Sequence, residues 1–178
     1  EFIFKVIYIT NNYTMKNNIE KISLLIKNKK FSEAVDTLNN LDENEKNNPN
    51  YYFLKGISYL YLNNISAAIE NFTQCLELNS NNPTFYFYRG YTFSRLNDFE
   101  KTKEDYQKAI SLKPNAPEFY NNLAGVYYTT GENEKAIEHY IKSLELKKDL
   151  KPSLTGLLNV LSQTRNTNVR NSEIVLAH

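Results

Sequence analysis

The sequence has no tryptophan, one cysteine, one methionine, two histidines and five glycines in 178 residues. A single thiol, Cys75, can build no disulfide framework, which points to an intracellular, cytoplasmic protein. No Cys/His spacing suits zinc. The glycines come one at a time and never form the loop that cradles a phosphate. Neither sign of charge predominates, with 21 Lys and Arg against 20 Asp and Glu and a net charge of +1. Nucleic acid and an acidic membrane surface are therefore not expected partners. Long hydrophobic runs are missing too. The apolar part of residues 1–14 falls well short of the roughly 20 residues a membrane-spanning helix needs, and it lacks the small-residue cleavage site of a secretory signal. Of the histidines, His139 lies beside an aromatic on a helical stretch among acidic residues, and His178 ends the sequence. No catalytic constellation emerges, so the chain is expected to be no enzyme and to carry no cofactor or metal.

Abundance lies in Tyr, Phe and Asn, with 14 tyrosines and 10 phenylalanines. The aromatics are not scattered. Tyr52, Tyr86 and Tyr120 stand 34 residues apart, as do Tyr59, Phe93 and Tyr127, and Phe72, Tyr106 and Tyr140. Small residues keep the same step: Gly56, Gly90 and Ala124, then Ala34, Ala68, Thr102 and Ala136. Each period holds two apolar stretches at helical spacing, such as Tyr86, Gly90, Phe93 and then Phe99, Thr102, Tyr106, Ile110. A period of this size with small and aromatic residues at fixed offsets predicts a helical solenoid, in which stacked units bury what no unit can bury alone. Small residues let two helices approach closely, and an aromatic fills the space beside them. A leucine at Ala68 would overpack that crossing. Asn and Asn-Pro pairs punctuate the units: Asn48-Pro49 and Asn82-Pro83 supply a capping residue followed by proline at the first helical position, and Ala116-Pro117 opens a further unit.

These offsets resemble the tetratricopeptide repeat. The best copies read Tyr86-x3-Gly90-x2-Phe93 with Tyr106, Ala109 and Pro114, and Tyr120-x2-Leu123-Ala124-x2-Tyr127-x3-Gly131 with Ala136 and Tyr140. The resemblance implies an all-α, right-handed superhelical solenoid of antiparallel helix pairs. Four copies fit without insertion at 15–48, 49–82, 83–116 and 117–150. The first departs from the pattern, with Asn18 at the aromatic position and Ile22 at the small one, although Phe31, Ala34, Leu38 and Leu41 of its second half fit. Its inter-helix turn carries Lys29 where the other copies have Asn63, Asn97 and Gly131. That position usually takes a left-handed conformation, for which lysine is the poorest of the four.

Residues 1–14 lie outside the register. Either Met15 is the natural start and they are upstream sequence, or they form an apolar strand or arm covering the first helix. Residues 151–164 read as a capping helix with Leu154, Leu157, Leu158 and Leu161 at the apolar offsets, and 165–178 as a disordered tail. Glu104 with Lys108, and Glu138 with Lys142, are spaced as surface ion pairs. Cys75 sits at a small core position and reads as packing.

By the resemblance, the first helix of each pair lines a concave groove that holds a partner peptide. The positions so assigned include Phe53 and Tyr61, then Phe87, Tyr91 and Arg95, and then Asn121 and Tyr128. Aromatics beyond those the stack requires suit peptide anchors. For Phe87 and Tyr91 the residues leave open whether the rings anchor a peptide or pack between neighbouring helices, and Phe53 reads as packing. Carrying over the carboxylate clamp of the co-chaperone branch matches only Asn122, so a chaperone-tail receptor of that kind is not expected. The implied function is a non-catalytic scaffold or adaptor, with a regulatory or targeting domain of a larger enzyme or complex as the alternative. Homo-oligomers through the solenoid ends are a further possibility.

Overall fold

Proline at a first helical position and asparagine before it start the helices where the sequence places them. A computed structural model describes residues 18–176, in which every regular element is a helix. The expectations for residues 1–14 lie outside the described residues. The helices are α1 (18–27), α2 (Phe31–Asn39), α3 (Glu43–Lys46), α4 (Pro49–Tyr61), α5 (Ile65–Leu78), α6 (Pro83–Ser94), α7 (Phe99–Leu112), α8 (Pro117–Thr129), α9 (Asn133–Leu146) and α10 (Lys151–Leu176). The Asn48 side chain accepts from the Asn50 N–H at 2.9 Å, and Asn82 from that of Thr84 at 2.9 Å. Asn64 and Asp98 cap α5 and α7 in the same way, through Ala67 and Lys101.

The turns inside the pairs repeat the 34-residue step in their backbone. Lys29, Asn63, Asn97 and Gly131 all take positive φ, at 60°, 61°, 58° and 80°. After each, an N–H reaches back five residues: Lys30 to Leu25, Asn64 to Tyr59, Asp98 to Phe93 and Glu132 to Tyr127, at 2.8–3.1 Å. This is the Schellman closure, which satisfies carbonyls that the ending helix leaves open.

The chain divides into two compact units, the first through Thr92 and the second from Phe93. In the first, α4 packs on α5 and on α2. Phe72 is fully buried, and a β-carbon at Gly56 would stand 2.7 Å from its ring. Glycine there is what lets the ring lie against the α4 backbone. Ala68 and Ala34 are fully buried at the equivalent crossings. Cys75, also fully buried, donates from Sγ to the Pro49 carbonyl at 3.3 Å, and burial pushes its thiol up to about 12. It is a packing residue with no thiolate to offer at neutral pH.

Helix α3 was not legible in the repeat pattern. Its signature is Asp42 followed three residues later by Glu45, whose carboxylate accepts from the Asp42 N–H at 3.3 Å. The other Glu45 oxygen accepts from the Asn18 amide at 2.9 Å. Asn18, the departure from the aromatic position, therefore ties α1 to this extra turn.

In the second unit α8 packs on α7, α9 and α10, and α9 on α10. Ser143, two periods on from Cys75, donates to the Pro117 carbonyl at 2.8 Å. Its hydroxyl also meets that of Ser153 at 2.7 Å, and Ser153 donates to the Asn121 side-chain oxygen at 2.9 Å. Ser143 and Ser153 are fully buried, so each is satisfied only through this chain.

Two expectations for the C-terminal part need correction. The buried face of α10 is Ser153 and Val160, with half-buried Gly156 between them, where a β-carbon would run into the Tyr140 ring. Of the leucines at the apolar offsets, Leu157 is half-buried, whereas Leu154, Leu158 and Leu161 are 42%, 65% and 46% exposed. The helix also runs on to Leu176 instead of ending at Thr164 before a disordered tail. No Pro or Gly follows Gly156 to stop it.

Candidate peptide-binding surface

The proposed groove residues divide between the two units and differ in what holds them. Phe53, on α4, is half-buried in an aromatic cluster, with ring centroids 6.0 Å from Phe72, 5.4 Å from Phe85 and 5.3 Å from Tyr88. Its ring is committed to packing. Tyr61, at the end of α4, is 64% exposed and lies flat on Phe31, with centroids 4.7 Å apart and planes within 6°. Ile26, Lys27 and Lys29 complete an open cleft of about 450 Å³ around this ring pair. A ring held in this way loses little freedom when another group stacks on it.

On α6, Phe87 is half-buried with its ring edge-on to Tyr88 at 5.6 Å, and Tyr91 is 38% exposed. Tyr88 did not stand out in the sequence, since the 34-residue step aligns it with Leu54 and Asn122. The available signal was the unbroken run Phe85-Tyr86-Phe87-Tyr88. Its ring bridges Phe53, Phe72 and Phe87. Burial, and secondarily the nearby Tyr61 phenol, raises its ionisation above the ordinary tyrosine range.

In the second unit, Arg95 is exposed and Tyr128 half-buried. Asn121 has its side-chain oxygen engaged by Ser153, and the Asn122 amide donates to the Glu118 carbonyl one turn back at 2.7 Å. The surface where the α8–α9 turn meets α7 is charged. Glu132 accepts from Lys135 at 2.7 Å, from Lys103 at 3.1 Å and from Thr130 at 2.9 Å. Those contacts, led by Lys135, draw its carboxyl down to about 2. Lys142 turns to Glu145 at 2.9 Å and not to Glu138, the partner its spacing suggested. His139 donates from Nδ1 to the Lys135 carbonyl at 2.9 Å, and its ring packs 6.2 Å from Tyr120 and 5.1 Å from Tyr127. Among the described residues no cluster of His, Cys, Asp or Glu could hold a metal ion, and no helix is long and apolar enough to cross a membrane.

The matched segments decide the family. The tetratricopeptide repeat family matches residues 49–82 and 117–150, and its TPR repeat relative matches 95–131. The chain belongs to the tetratricopeptide repeat family. Its fold class is the all-α solenoid of helix pairs. The MamA protein aligns at TM-score 0.76 and 20% identity over 91% of this chain and 90% of that one. A thermophilic TPR protein of Thermus thermophilus, TTC0263, aligns at TM-score 0.71 and 16% identity, covering 83% of this chain and 81% of that one. The first TPR of Spaghetti (RPAP3), bound to an HSP90 peptide, aligns at TM-score 0.64 and 20% identity over 66% of this chain and 93% of that one. Among curated proteins none matches the sequence. Tetratricopeptide folds commonly serve protein–protein interaction, and the helix-pair offsets of this chain are those of that fold.

Proposed function

We propose that the protein is a non-catalytic scaffold that holds a segment of a partner protein against the first-helix faces of its repeats. In the first unit, Tyr61, Phe87 and Tyr91 supply the anchors. The observation that carries this reading is Tyr61: a large ring, mostly in water, stacked on Phe31 beside an open cleft. Core packing does not require it, because Phe53, Phe72, Phe85 and Tyr88 already fill the interior. Interface anchors are commonly such pre-organised aromatics. The peptide-bound RPAP3 repeat domain supports a peptide as the kind of ligand. The clamp pattern that grips a terminal carboxylate is not reproduced here beyond Asn122, so the ligand is an extended or helical segment with apolar anchors.

The test is an affinity capture from source-cell lysate with the parent, with Tyr61→Ala/Tyr91→Ala and with Phe87→Ala/Tyr91→Ala, each paired with a thermal melt. The reading expects a partner retained by the parent and lost from variants that still fold. Equal capture by all three would refute it.

A further inference from the structure

Helix α10 carries a second surface, built at helix offsets other than those assigned to the groove. Leu154, Leu158 and Leu161 stand one 34-residue step beyond Tyr120, Ala124 and Tyr127. In that repeat these offsets face the helix that follows: Tyr120 and Tyr127 lie against His139 of α9, and Ala124 is fully buried. Among the described residues the equivalent face of α10 has no such cover, and its three leucines are the exposed ones. Where the pairs α4–α5 and α8–α9 have Gly56 and Ala124 at this offset, α10 has Leu158, as the first repeat has Ile22. A helix seated on α10 meets Leu158 at that place, flanked by Leu154 and Leu161. It must ride on a leucine ridge.

Charge selects the occupant. Lys151, Leu154, Leu158, Leu161 and Arg165 follow one another by three or four residues, so they form one stripe with a cation at either end. No Asp or Glu lies on α10 between Lys151 and Arg165. In the preceding turn Lys147 and Lys148 are exposed beside the single anion Asp149. A second copy docked antiparallel through this stripe would set Lys151 against Arg165, which opposes self-pairing. A membrane is less suited than a helix, because only three leucines project and the offsets are those at which this fold packs helix on helix. We propose that the leucine face of α10 docks an amphipathic helix of a partner protein, with an apolar stripe and acidic residues at both of its ends.

The probe is a fluorescein-labelled 18-residue synthetic helix with leucines at heptad a and d positions and glutamates at both ends, read by anisotropy against the full chain. Its control carries lysines in place of the glutamates. The expected result is at least tenfold tighter binding of the acidic helix. Leu158→Asp, at a site exposed enough to leave the melt unchanged, should weaken it at least tenfold. Lys151→Glu/Arg165→Glu should invert the preference between the two probes, and Tyr61→Ala/Tyr91→Ala should change nothing. Equal affinity for both probes, or indifference to Leu158→Asp, would overturn the proposal. So would a dimer in light scattering that Leu158→Asp dissolves, which would assign the face to a second copy. Binding to phosphatidylserine-containing vesicles that the same variant abolishes would assign it to a membrane, and would overturn it too.

Discussion

The two units share one backbone scheme and fill it with different chemistry. In the first, the turns at Lys29 and Asn63 enclose an aromatic interior in which Phe53, Phe72, Phe85 and Tyr88 touch ring to ring. In the second, the turns at Asn97 and Gly131 close in the same way, but α8, α9 and α10 are joined by a buried hydroxyl chain from the Pro117 carbonyl through Ser143 and Ser153 to Asn121. Cys75 and Ser143 occupy equivalent places, and each reaches the carbonyl of its own repeat's opening proline. The difference teaches that the 34-residue period encodes backbone turns and close crossings, while the material between them is free to be apolar or polar.

Substitutions and a pH series probe that contrast. The largest effect is expected from Phe72→Ala, which empties the centre of the aromatic interior and should cost about 3–5 kcal/mol in a denaturant melt. A loss below about 1 kcal/mol would show that the rings do not form a packed core. Next is Gly156→Ala, whose new methyl meets the Tyr140 ring and should cost about 1–3 kcal/mol despite alanine's better helix propensity. Exchanging the chemistries sharpens the comparison further. Ser143→Cys weakens the hydroxyl chain and should cost about 1–2 kcal/mol, whereas Cys75→Ser keeps the Pro49 acceptor and should cost about half as much. Equal losses would mean that the polar chain adds nothing.

Smaller still is the contrast between the turns. Lys29→Gly should stabilise by about 0.5–1 kcal/mol, since a lysine at φ 60° bears the left-handed penalty that Gly131 avoids. The smallest effect is electrostatic. Glu132 is held near 2 by Lys135, Lys103 and Thr130, against an ordinary 4.5. Its folded-state value is depressed, so its contribution is present above pH 4.5 and fades as pH falls toward 2. The melting temperatures of parent and Glu132→Gln should therefore differ most at neutral pH and converge across that window. A gap that widens on acidification would contradict the assignment.

The repeat frame was legible because spacing alone carries it. The four left-handed positions, the Asn-Pro starts and the burial of Ala34, Ala68 and Ala136 all follow from a fixed step. The same step puts Leu154, Leu158 and Leu161 of α10 at apolar offsets, yet all three are exposed. Those offsets are buried only where another helix follows, and the face α10 does bury depends on Gly156 receiving a ring from α9. The link from Asn121 to Ser153 joins residues 32 apart through side-chain direction, which periodicity does not encode. At the candidate surface, Tyr61 could be read as an aromatic at a groove offset, but its support by Phe31 joins the second helix of one pair to the first helix of the next. Phe53 had the same sequence signature and turned inward.

The groove account is tested most directly by photocrosslinking in source cells, with a benzophenone amino acid placed at Tyr91 in one protein and at Ile141 in another. The two sites are similarly exposed, at 38% and 44%, but Ile141 lies on α9 beside the charged Glu138, Lys142 and Glu145. The account predicts a discrete partner adduct from position 91 and none from position 141. Adducts from 141 alone would place the interaction on the charged surface of α9 and contradict it.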